Sequence, residues 1–122
     1  MPLFLVTYVH PDPQGWKTHL GPHLEWIAAQ VESGALRASG PTFTGENRTA
    51  ALLFNTADRA ELDSIIATDP YMEHGQVSGL TVAEWDPIFG MLNAESTQPG
   101  KSAEHVIREV LVAFGPDPES EN

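Results

Sequence analysis

"GPHLEWIAAQVESGALRASGP", residues 21–41, holds a helix, its stop signal and a strand in direct succession, and its reading decides the fold. Pro22 suits a first helical position, where a backbone amide has no partner anyway. Leu24, Ile27, Ala28 and Val31 recur at helical spacing, which predicts an amphipathic helix from about Pro22 to Glu32 with that stripe buried. Trp26 lies off the stripe, which marks it for a subunit contact; packing is the default for Trp16 and Trp85. Gly34 supplies a left-handed stop. The strand over 35–43 carries Gly40-Pro41, a pair that predicts a break or bulge and a place in the wall of a binding cleft.

Upstream, "LFLVTYV" (3–9) is apolar on both alternating faces, as a central strand covered on two sides should be. "HPDPQGWK" (10–17), with two prolines and a glycine, reads as a loop. Downstream, "TGENR" (44–48) is a polar turn and "TAALLFN" (49–55) a third strand. "TADRAELDSIIAT" (56–68) is a helix capped by Thr56 or Asp58, with Ala60, Leu62, Ile65 and Ile66 available for burial. Asp69-Pro70 ends it, because the residue before proline avoids helical angles. "YMEHG" (71–75) adds a short turn, and "VSGLTVAEW" (77–85) is a fourth strand. The order βαββαβ is the ferredoxin-like split arrangement: an α+β fold with an antiparallel sheet and two helices on one face. Residues 1–92 form this domain, 93–102 a linker, 103–114 an extra C-terminal helix and 115–122 an acidic tail.

The topology carries a spatial consequence. Each crossover helix runs opposite to the strand before it, and the first and third strands are antiparallel, so the two helices are antiparallel too. The start of the first therefore lies beside the end of the second, and His23 and Asp69 come to one end of the domain.

Composition narrows the chemistry. The chain has 122 residues, enough for one compact domain, and 41% are apolar. Seventeen acidic against six basic residues give a formal charge of -11, which disfavours nucleic acid and polyanions unless Lys17, Arg37 or Arg48 lines a local basic site. No cysteine is present, so thiolate catalysis and sulfur-ligated zinc are ruled out. The start, "MPLFLVTYVH", lacks a basic segment and its apolar run is strand-length, so a signal peptide, a membrane span and a membrane partner are not expected, and the expected location is cytoplasmic. His19 and His23 stand four apart, a helical metal-pair spacing, but Gly21-Pro22 separates them and no third ligand is evident. No metal is assigned. Phosphate loops, dinucleotide fingerprints and serine-triad motifs are missing, and no cofactor is expected.

Three patterns, "PHLEWI" (22–27), "SGALRASGP" (33–41) and "ATDPYMEHG" (67–75), with a closing "VAEW" (82–85), resemble the YCII-related family of the dimeric α+β barrel superfamily. The likeness covers about residues 3–90. It implies a subunit that dimerises through its sheet, with a cleft holding a His–Asp catalytic pair; those positions match His23 and Asp69, and the terminal helix is expected to brace that dimer or build a higher homo-oligomer. The implied function is a small cofactor-independent enzyme performing isomerisation or elimination on a small cyclic or aromatic metabolite. A cofactorless monooxygenase, a non-catalytic ligand-binding or regulatory module, and an interaction protein using its terminal helix are the alternatives. His10, His19, Gly40, Pro41 and Tyr71 are the expected substrate-binding residues. The residues alone leave a plainer reading open: His23 packs against Leu20 and Ile27, and Asp69 caps the turn at Pro70.

Overall fold

Residues 2–115 are described by the structure, a computed structural model. They divide after Trp85 into two compact units. In the first, β1 (Leu3–His10) is followed by α1 (Pro13–Thr18), α2 (Leu20–Ser33), β2 (Leu36–Thr42), β3 (Arg48–Asn55), α3 (Arg59–Ala67), α4 (Pro70–Glu73) and β4 (Ser78–Trp85). The sheet order is β2-β3-β1-β4, antiparallel throughout, as the ferredoxin-like pattern requires.

Alternation along β1 sorts the sheet into two faces. Phe4, Val6 and Tyr8 pair with Phe54, Leu52 and Ala50 of β3 and pack against Trp26 of α2 and Leu62 and Ile66 of α3. The opposite face carries Leu5, Thr7 and Val9 on β1 with Thr81, Ala83 and Trp85 on β4; Leu5 is 36% and Trp85 44% exposed. Thr7 and Thr81 join hydroxyls across this face.

Local signals explain the helix ends. Asp58 caps α3, its carboxylate accepting from the Glu61 amide at 2.8 Å, while the Glu61 side chain accepts from Ala57 N at 2.9 Å. Thr56 is buried but not the cap. Gly34 ends α2 at φ 87°, where an L side chain would be strained.

Three expectations need correction. The segment 10–17 is not all loop: Asp12 caps α1 by accepting from Gln14 N at 3.1 Å, and Pro13 occupies the first turn. The buried side of α2 is the expected stripe only in part: Ile27 packs against the core, but Leu24 and Val31 are each 54% exposed, whereas Trp26 is only 9% exposed. Two polar groups at the end of α3 turn the helix this way. Trp26 donates its indole N–H to Thr68 Oγ1 at 2.8 Å, and His23, three residues earlier, meets Asp69. Trp26 is thus a core residue, not an exposed subunit contact. Lastly, the irregularity of β2 lies between Leu36 and Ala38, and pairing runs unbroken through Gly40 and Pro41. Because β2 is an edge strand, the amide missing from Pro41 need not break the ladder.

The second unit, from Asp86, contains a 3-10 turn (Asn93–Glu95) and α5 (Ala103–Phe114). The stretch expected to be a linker is tied by Asn93, whose side chain donates to Ile88 O and Gln98 O and accepts from Gly100 N. Of the expected tail, residues 116–122 lie outside the described residues. Among the described residues no helix is long and apolar enough to cross a membrane.

Candidate functional site

Asp69 follows the last turn of α3, and Pro70 begins α4, so the residue between them is held extended at φ -64°, ψ 125°. That conformation turns its carboxylate back over the helix start. Oδ1 accepts from the Tyr71 amide at 3.0 Å and also faces His23 Nδ1 at 2.8 Å; Oδ2 accepts from the Tyr8 hydroxyl at 3.4 Å. Capping and histidine binding are therefore simultaneous, performed by one oxygen. The carboxylate is 1% exposed and the imidazole 12%.

A carboxylate only accepts, so Nδ1 of His23 carries the proton and, in the neutral ring, Nε2 carries the lone pair. Tyr71 stacks on the imidazole with centroids 4.1 Å apart and planes 23° from parallel, which holds the ring's tilt. Burial first, and then the Asp69 charge, push the Tyr8 phenol far above its usual range, keeping it a donor to Asp69. Tyr71 is pushed up to about 12 by the same two causes in the same order.

His23 lines a cleft of about 570 Å³, a size suited to a small organic molecule. Its floor is the helix-bearing face of the sheet, with Tyr8, Ala50 and Leu52; Leu20, Leu24 and Ile27 of α2 form one wall, and Gly40, Pro41 and Phe43 form another. His10 closes one end. It is 5% exposed, and its Nδ1–H donates to Gln76 O at 2.8 Å.

The expected binding residues distribute unevenly. His10, Gly40, Pro41 and Tyr71 line the cleft, but Tyr71 spends its hydroxyl on Trp16 O at 2.9 Å and contributes its ring. His19 does not line it. Placed at the junction of α1 and α2, it stacks on His74 with centroids 4.1 Å apart. Among the described residues no group of three or more histidine or acidic side chains is gathered to hold a metal. Sequence reasoning named Arg48 only as a conditional basic residue; it lines the cleft with its guanidinium 3.8 Å above the Trp16 ring centre. The register offered a signal, since Arg48 pairs with His10 and lies on the same face as Ala50 and Leu52.

Burial lowers the His10 pKa, and the Gln76 carbonyl only partly opposes this. The unfolded chain then binds the proton more readily than the folded one. Stability rises with pH across this interval. We expect folding stability to fall as the pH drops through about 6.5, the ordinary histidine value, toward the lower folded value. His10→Asn, whose amide can still donate to Gln76 O, should flatten that part of the slope in urea titrations at successive pH values.

No family model matches the sequence, and no curated protein is significantly similar to it. Solved structures are. The 5-chloro-2-hydroxyhydroquinone dehydrochlorinase TftG of Burkholderia phenoliruptrix AC1100, in complex with 2,5-dihydroxybenzoquinone, superposes with a TM-score of 0.58 at 22% identity, covering 69% of this chain and 93% of its own. Rv0793 of Mycobacterium tuberculosis gives 0.48 at 14% identity, covering 74% of this chain and 98% of its own. The likeness to TftG shows the ferredoxin-like α+β fold.

Proposed function

We propose that the protein is a small YCII-related enzyme that uses His23 as its acid/base group on a small cyclic or aromatic metabolite, with Asp69 orienting it. The observation that carries this is the 2.8 Å contact between His23 Nδ1 and Asp69 Oδ1 in a side chain that also lines an open cleft. One nitrogen is committed to a carboxylate, and the other is left to a ligand. A histidine that only packed against Leu20 and Ile27 would not need that cleft.

In the reaction, Nε2 takes a proton from a hydroxyl or an acidic carbon of the bound ring. The electron pair left behind enters the conjugated system. In an elimination a leaving group departs from the ring with its bonding pair; in an isomerisation the same proton returns at another carbon. The imidazolium formed between these events is stabilised by the Asp69 charge. A dehydrochlorinase of the same fold, bound to a small quinone, supports the choice of elimination on an aromatic substrate.

Halogenated and hydroxylated phenols and quinones, assayed with the wild type, His23→Gln and Asp69→Asn, test the proposal. Ligand binding by all three proteins with turnover by none would instead favour a non-catalytic binding module. Oxygen consumption coupled to turnover would favour a monooxygenase.

The same reading includes a homodimer. On the face opposite the helices of the first unit Leu5 and Trp85 stay 36% and 44% exposed, and the resemblance to dimeric barrels implies a second copy against it. Sedimentation should show a dimer for the wild type and a monomer for Leu5→Lys. A wild-type monomer at micromolar concentration would remove this part.

A further inference from the structure

We propose that Arg48, held over Trp16, is the anion-binding group of the cleft and makes it selective for small planar organic monoanions. The inference rests on reading the cleft as a substrate site, and it names the substrate class. Arg48 begins β3 opposite His10, so alternation places it on the same sheet face as the cleft floor. Its Cζ lies 3.8 Å from the Trp16 ring centre. Such a cation–π contact fixes the guanidinium over the ring.

Charge bookkeeping makes the placement unusual. In a chain of net charge -11, no carboxylate among the described residues forms an ion pair with this arginine. The cleft lining holds no other arginine or lysine, and Glu46 is its one carboxylate-bearing residue. An exposed guanidinium lining the cleft without a carboxylate partner is suited to an incoming carboxylate or phenolate oxygen, which can accept from its fork of N–H donors. One cation balances one charge. A dianion would find no second arginine or lysine in the lining to balance its other charge, at a desolvation cost. The aromatic rings of Trp16, Phe43 and Tyr71 in the lining favour a planar ring.

Matched probes test this and separate the two sources of anion: benzoate against benzamide, and pentafluorophenolate against pentafluoroanisole. Binding is followed by NMR titration for the wild type, Arg48→Gln, Arg48→Lys and His23→Gln. The wild type should prefer at least one anion over its neutral counterpart by about tenfold or more, as a charge-assisted hydrogen bond implies, with the preference weakening as salt is raised. Arg48→Gln should bring the ratio close to one, and Arg48→Lys should restore part of it. The pair that shows the preference identifies the source. His23→Gln should keep the preference, so a failed proton-transfer reading leaves this result intact. A preference that survives Arg48→Gln overturns the proposal, as does a wild type that binds neither anion or binds both pairs without discrimination.

Discussion

Turnover of a small aromatic substrate is expected to fall by about 10²–10⁴ when His23 is replaced by glutamine, the usual contribution of a positioned general base. The Asp69→Asn variant is the more informative partner because of where the bonds land. Both the Tyr71 amide and His23 Nδ1 meet the same oxygen, Oδ1. An asparagine can keep both contacts on its carbonyl oxygen, while its amide nitrogen faces the Tyr8 hydroxyl, which can rotate to accept. Cap, tautomer and ring orientation then survive, and only the negative charge is lost. That charge matters once the imidazole is protonated. Asp69→Asn should therefore lower kcat by about 10- to 100-fold, the worth of a charged hydrogen-bond partner, with KM little changed. The double variant should be no worse than His23→Gln alone, because an orienting carboxylate has nothing left to act on. Steady-state kinetics on the four proteins decide the matter; a folded His23→Gln enzyme working at full rate defeats the assignment.

The meeting of His23 and Asp69 was legible because it depends on strand order rather than on side-chain detail. Antiparallel β1 and β3 dictate the direction of the helices that follow, and a helix start then lies beside a helix end. What escaped sequence reading was finer. Counting Leu24, Ile27, Ala28 and Val31 as the buried stripe of α2 weighed hydrophobicity alone, whereas the rotation is set by the rings of His23 and Trp26 and their polar partners, Asp69 and Thr68. Periodicity does not register a histidine as core-facing when its partner is remote in sequence. α1 was hidden for a related reason: prolines and a glycine suggest a loop, and only the Asp12–Pro13 start signal argues otherwise. Arg48 was assigned to a turn because strand boundaries blur by a residue, and that residue determined whether it faced the cleft.

Asp69→Ala is expected to destabilise the fold by about 2–4 kcal/mol, far more than Asp69→Asn, because it removes three interactions made by one buried side chain. Losing the cap of α4 accounts for about 0.5–2 kcal/mol. The remainder comes from donors left facing a void: the Nδ1–H of His23 and the hydroxyl of buried Tyr8 lose their acceptor. Urea unfolding at one fixed protein concentration measures the change, the concentration being held because a dimer would add its own linkage. A double-mutant cycle with His23→Ala separates the contributions. If Asp69 served only as a cap, the two substitutions would add; since they share a 2.8 Å hydrogen bond, the double variant should lose less than the sum of the singles by about 1 kcal/mol or more. The cycle thus reads the energetic coupling of the pair without any substrate, independently of the kinetic result.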